Sequence, residues 1–199
     1  MLKSYETERL QLKILNKDAA AMVLHFYEDN KPLFEPWEPK RSEHFYTQAY
    51  QKASLSAEYY QMADGKLLRY WVFLKDCPDE IIGSVCFQNF LMGPYRSCSI
   101  GYKFSHKFHN LGYAYESTRK GIDVIFEELP IHRIEAFIMP NNDPSLRLIK
   151  KLDFICEGIS YAYANVDGVW TDHLRYALIN SRAINPYASA PIHPLPESV

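Results

Sequence analysis

One stretch of the sequence, IGYKFSHKFHNLGYAYEST, runs from a β-branched and aromatic segment into a helix-forming one through a turn that holds Gly112 and Ala114. The first amides of a helix have no partner inside it, and the helix dipole adds partial positive charge there, so such a turn suits an anion such as a pyrophosphate. Gly112 removes the side chain that would keep that group away from the backbone. A glycine before a helix is also an ordinary connection in α/β proteins, and this reading stands beside the first. The turn has neither the GxGxxG of a dinucleotide-binding fold nor the GxxxxGK, followed by Ser or Thr, of a nucleoside-triphosphate loop. His106 and His109 stand three apart, but no further His, Cys or carboxylate cluster completes a set, so no metal is expected. Cys77, Cys86, Cys98 and Cys156 make no CxxC pair and read as free thiols in a reducing compartment.

Several elements must hold this turn in place. The run RLQLKI at 9–14 alternates like a half-buried strand, and a helix capped by Asn16 or Asp18 follows through Glu28. The segment KPLFEPWEPK carries prolines 32, 36 and 39 and reads as a stiff loop. Ser42 is placed to cap a second helix of about five turns, ending at Asp64-Gly65. LLRYWVFLK, EIIGSVCFQNF and SCSIGYKF then form a three-stranded antiparallel meander. A third helix over 114–129 stops at Pro130, a strand HRIEAFIM ends at Pro140, and a short helix carries Leu148, Ile149 and Leu152 on one face. FICEGISYAYA and WTDHLRYALI are two more strands, joined by the hairpin signal Asp167-Gly168. The third meander strand, the helix and HRIEAFIM have the length of a βαβ crossover, which makes those two strands parallel. The order predicts one α/β domain over residues 1–180, a mixed sheet with helices on its faces, followed by a proline-containing tail over 181–199.

With 47% hydrophobic and 15% aromatic residues, the 199-residue chain can bury an aromatic-rich core. A formal charge of -2 gives no broad basic field, so nucleic acid and anionic membrane are not expected as partners. No stretch approaches the roughly 20 apolar residues that span a bilayer, and a soluble, cytoplasmic protein is expected.

Taken together these segments resemble the GNAT superfamily of N-acetyltransferases, whose cofactor turn follows Arg/Gln-x-x-Gly-x-Gly/Ala and reads HNLGYA here. ETERL, IIGSVCF, SIGYKFS, NNDPSLRLIKKLDF and DGVWTDHLRYAL fall in the family's order from Glu6 to Leu178, and DNKPLFEPWEP, IHRI, MPNN and the DGVWTDH hairpin are most similar to its ribosomal-protein-alanine N-acetyltransferases. The resemblance implies a mostly antiparallel seven-stranded sheet whose central parallel pair splays apart to admit the pantetheine arm of acetyl-CoA. It implies that Tyr102 and Phe104 lie beside the arm, that His109, Asn110, Leu111, Gly112, Tyr113 and Ala114 hold the pyrophosphate, and that Asn142 contacts the arm from the other side. Lys107, Arg147 and Lys150 would add local positive charge. The backbone N–H near Phe104 becomes the oxyanion donor, and Ser145 becomes the acid or water-holder for the departing thiolate. Ser145 equally reads as a first-turn helix serine, and Asn142 as an ordinary turn or cap residue.

The implied reaction is acetyl transfer to an amine, foremost the N-terminal α-amine of a protein. A small polyamine or aminoglycoside, or an acyl-CoA sensor without turnover, are the alternatives, and a homodimer stays open. Phe34, Trp37 and Glu38 are candidates for the acceptor wall, with Glu38 drawing a cationic amine and Trp37 stacking on it; a proline-stiffened surface loop with one buried tryptophan is the alternative. Tyr161, Tyr163, Asp172 and His173 are candidates to line the cleft, though strand alternation and a hairpin mouth explain them equally well, and Glu135 is a candidate to orient water, with a buried carboxylate paired to a neighbour as the alternative. The chain departs from the family at His109, where Arg or Gln is usual, at Asp153, where Gly is usual, and at Ala164, where some relatives carry a glutamate base, so no base is assigned.

Overall fold

The computed structural model describes residues 4–181; the expected tail beyond Ser181 lies outside them. The strands are β1 (Ser4–Glu6), β2 (Leu10–Lys13), β3 (Leu67–Leu74), β4 (Cys77–Leu91), β5 (Ser97–Phe104), β6 (Arg133–Ile138), β7 (Ile155–Val166) and β8 (Val169–Ile179). They form one eight-stranded sheet in the order β1-β2-β3-β4-β5-β6-β8-β7. All neighbours are antiparallel except β5 and β6, which the crossover length had required to be parallel. The expected count of seven is corrected to eight by β1. A three-residue strand is too short to show alternation, and only its pairing with β2 (Tyr5↔Leu12) defines it.

Among the described residues five helices cover the two faces: α1 (Ala20–Asp29), α2 (Lys31–Phe34), α3 (Gln48–Ala63), α4 (Tyr113–Glu128) and α5 (Asp143–Lys151). Alternation along each strand sorts side chains between two cores. On β5, Cys98, Ile100, Tyr102 and Phe104 pack with Ile122 and Ile125 of α4 and Ile149 of α5. The other face of β3 and β4 gives Trp71, Phe73 and Ile81 to an aromatic core with Phe26, Tyr27, Phe34, Phe45 and Leu55. Edge-on ring contacts, such as Tyr27–Phe45 at 4.9 Å and Phe26–Trp71 at 5.8 Å, account for the sequence's high aromatic content.

Two local expectations change. The cap of the long helix is Thr47, whose hydroxyl accepts from the Tyr50 amide at 3.2 Å, and Ser42 instead precedes a separate turn over Glu43–Tyr46. KPLFEPWEPK is not irregular throughout: Pro32 opens α2 and Pro36 opens a 3-10 turn over Glu35–Trp37, because proline's missing N–H costs nothing in a first helical turn. The Asp167-Gly168 hairpin forms as expected, with φ values of 49° and 84°.

Candidate active site

β5 and β6 pair only at Ser97↔Arg133, Cys98↔Ile134 and Ser99↔Glu135. Beyond these, β5 stays with β4 as far as Phe104 and β6 stays with β8 as far as Ile138, so the two strands part. The Ser105 amide donates to the Ile82 carbonyl at 2.9 Å. In an antiparallel ladder such pairs alternate, so Lys103 and Gly101 also bond to β4, and the amides of Tyr102 and Phe104 point into the gap. Gly83, opposite Phe104, lets the phenyl ring lie flat on β4: a Cβ there would fall 2.2 Å from Phe104 Cδ1 and 2.7 Å from the Lys103 carbonyl. Across the gap, Tyr102 Oη donates to the Ser145 carbonyl on α5 at 3.3 Å. Burial pushes the Tyr102 phenol well above its ordinary value and keeps it neutral.

The turn after β5 is built to leave amides unpaired. Asn110 (φ 61°) and Gly112 (φ 84°) are left-handed, and the first bond at the start of α4 runs from the Glu116 amide to the Gly112 carbonyl at 3.0 Å. The amides of Gly112, Tyr113, Ala114 and Tyr115 therefore lie ahead of the first intrahelical bond. His109 is half-committed: its Nε2 lies 3.0 Å from the Phe104 carbonyl, an acceptor, so it donates and ties the turn back to β5.

Arg9, in the β1–β2 connection, braces the turn from outside. Its Nη1 donates to the Leu111 carbonyl at 3.1 Å, its Nε to Glu116 at 2.7 Å, and its guanidinium lies 4.5 Å over the Tyr113 ring. It also stands 3.3 Å from where a Gly112 side chain would begin. Burial alone would raise the Glu116 carboxyl, but Thr7 and Arg9 outweigh it and hold it below the usual range.

On α5, Asn142 Oδ1 accepts from the Ser145 amide at 3.2 Å, so Asn142 is the helix cap and its side chain is partly committed. Lys150 is exposed on the same helix. Lys107 is drawn off toward Glu80 and Asp29, at 3.4 and 3.5 Å. Asp153, at the family's glycine position, has φ 66° and pairs with Arg119 at 2.8 Å. The left-handed backbone just past the helix end explains why glycine is usual there.

The opposite face of β5 differs. Gly101 and Lys103 point toward the α1–α3 side, and a Cβ on Gly101 would meet nothing within 4 Å. Glu38 does not stand free to draw a cation: one oxygen is bound by Lys103 and the other by Arg41 Nη2 at 2.8 Å. Burial pushes its carboxyl up, yet the two cations prevail and hold it low. Phe34 lies in the aromatic core, 5.4 Å from Phe26, and of the three expected wall residues Trp37 is the partly exposed aromatic. On the far side Glu135 is held by Arg133 and Arg175 at 2.9 and 2.8 Å. Phe137, where β6 has left β5, stacks on Tyr163 at 4.2 Å, and Tyr163 lies 5.2 Å from the buried His173. Asp172 accepts from the Ala162 amide at 2.8 Å, and Tyr161 is exposed.

A cavity of about 550 Å³, lined by Gly93, Arg96, Phe126 and His132 among others, opens at the opposite ends of β5 and β6, away from the turn. Volume does not mark the site here; the parted strands and unpaired amides do.

A model of the acetyltransferase (GNAT) domain family matches residues 9–155. The chain belongs to the GNAT acetyltransferase family. It is thus an acetyl-CoA-dependent N-acetyltransferase, and the gap and the amides of the turn fit that cofactor's arm and diphosphate. The chain is 32% identical over 174 residues to the ribosomal protein uS5-alanine N-acetyltransferase of Escherichia coli strain K12, covering 86% of this chain and 88% of that protein. The solved ribosomal-protein-S5-alanine acetyltransferase of Vibrio fischeri is 28% identical, with a TM-score of 0.84 over 89% of this chain and 97% of that one. Mycobacterium smegmatis RimJ, solved with a CoA disulfide, is 27% identical, with a TM-score of 0.81 over 88% of this chain and 84% of that one.

Arg9, Gly83 and Lys103 were not singled out from sequence. Arg9 sits in ETERL and Gly83 in IIGSVCF, so membership of those segments was the available signal. Nothing local marked Lys103, whose partner Glu38 is 65 residues away.

Proposed function

We propose that this acetyltransferase acts on the α-amino group of a protein N-terminus, of the ribosomal-protein kind. The observation that carries this reading is the near-full-length likeness to enzymes named for the N-terminal alanine of ribosomal protein uS5. The charge of the acceptor side agrees with it. Glu38 is taken by two cations and Glu135 by two more, so a polycationic amine would meet no uncommitted carboxylate from either.

Acetyl-CoA supplies an acetyl thioester whose carbonyl the amine attacks. In this reading the amides of 112–115 hold the diphosphate, the Phe104 amide donates to the oxygen as it gains charge, and Tyr102 aligns β5 with α5. Ser145 Oγ gives its proton to the departing sulfur and regains one from solvent, while the amine's proton leaves to water. An α-amine with a pKa near 8 is about a tenth neutral at pH 7, whereas a lysine near 10.4 is almost wholly charged, so an N-terminus demands less of a site without an assigned base.

The test is an intact-mass and fragment-mass assay of Ala- and Ser-initiated proteins incubated with the enzyme and acetyl-CoA, with and without Ser145→Ala. One acetyl located at the N-terminus, formed much more slowly by the variant, supports the reading. Acetylation of small amines alone overturns it.

A further inference from the structure

On the acceptor side of β5, a cavity of about 80 Å³ lies beneath α1 and α3; its lining includes Tyr27, Arg41, Gln51, Glu58, Arg69 and Lys103. This is several times the roughly 10–15 Å³ that one water requires. Its polar lining is unbalanced. Arg41, Arg69 and Lys103 bring three positive charges, and the carboxylates that face them are Glu38 and Glu58. Both Glu58 oxygens are taken by a single atom, Arg69 Nε, at 3.0 and 3.1 Å, so the two terminal nitrogens of that guanidinium hold no carboxylate and stay open to solvent or to a further acceptor. The buried Nε of Arg41 has no acceptor among the described residues. The nearby Cys86 thiol is no hidden anion: burial raises it despite Arg69. An excess cation beside a buried donor without a partner is costly, and a carboxylate is the group that relieves both defects.

The position of the cavity says whose carboxylate this is. Lys103, one of its walls, sits between Tyr102 and Phe104, whose amides face the cofactor gap, so cavity and gap are separated by the thickness of one strand. Gly101, the next residue on the same face, has open space above it. An extended chain whose amine reaches the gap would pass over Gly101 toward Arg41, whose side chain is 34% exposed. We propose that this cavity is a specificity subsite for an acidic side chain, Asp or Glu, carried by the acceptor within a few residues of the amine that is acetylated. The proposal rests on the N-terminal acceptor reading and adds to it what the enzyme reads beyond the first residue.

The experiment uses the full chain, acetyl-CoA and a set of Ala-initiated peptides bearing Glu, Gln or Lys in turn at positions two, three and four, with kcat/KM measured for each. At one position Glu should exceed Gln by about tenfold, and Lys should fall below Gln. Within Arg41→Gln the Glu-to-Gln ratio should drop to about two or less. Within Glu58→Gln, which adds one net positive charge, it should rise, an opposite sign that a structural role alone would not give. Equal rates for Glu and Gln at every position, or a preference left unchanged in both variants, overturn the subsite while leaving N-terminal acetylation standing. If no peptide is acetylated at all, the acceptor reading fails and the subsite falls with it.

Discussion

On the α4 side of β5 the groups that can meet a cofactor are mostly main chain: the Tyr102 and Phe104 amides in the gap and the unpaired amides after Asn110. On the other side of the same strand the surface is made by charged side chains from distant segments, with Lys103, Glu38 and Arg41 in one group and Arg69 and Glu58 in another. Main-chain donors are indifferent to most substitutions and answer only to backbone geometry, so the cofactor half depends on a few glycines and on Arg9. Charged clusters are set by which partner is present, so the half proposed to receive the acceptor can change its charges without altering the fold. On the proposed reading, one half carries the reaction and the other selects the acceptor.

The strongest challenge to that division is Gly83→Ala, which attacks main-chain geometry from β4. The new Cβ must displace the Phe104 ring or the Lys103 carbonyl, and losing one oxyanion donor costs about a hundredfold or more in kcat. We expect kcat to fall to that extent while circular dichroism stays native; a near-normal kcat would remove Phe104 from the reaction.

Glu38→Ala probes the other half. It leaves Lys103, only 14% exposed, without its anion. Full burial would cost about 3–5 kcal/mol, and with both partners partly solvated we expect about 2 kcal/mol, read as a lower Tm with CoA affinity unchanged in calorimetry. Because the folded carboxyl is held below its ordinary value of 4.5, its stabilising contribution is complete at neutral pH and is lost as pH falls below that value. The Tm difference between wild type and Glu38→Gln should therefore narrow between pH 7 and pH 3.

Gly112→Val should weaken CoA binding about tenfold, since a β-branched residue at φ 84° costs about 1–2 kcal/mol and crowds Arg9. Acceptor selectivity among peptides should not move. The mildest change is Tyr102→Phe, which removes one neutral hydrogen bond to α5, about 1 kcal/mol, and should raise the KM for acetyl-CoA by two- to fivefold with little change in Tm. If that variant shifted peptide preference instead, the two halves would not be separable.

The periodic runs were enough to order the elements, because alternation and helical spacing are local and each strand from β2 onward is long enough to show its own period. The parallel pair also followed from chain length alone, since a crossover of that span carries a helix. The turn ahead of α4 was legible because Gly112 marks a place where the backbone turns left-handed, a constraint written at one position. What the sequence could not reveal was pairing across distance. β1 exists only because β2 lies beside it; Glu38 looked like a free carboxylate until the fold brought Lys103 and Arg41 to it; Asn142 and His109 looked like ligand contacts and turned out to be partly committed to Ser145 and Phe104. Local backbone preference is a property of neighbouring residues and can be read along the chain. The sign and availability of a charge depend on what stands within a few ångströms in space, and only the tertiary structure decides that.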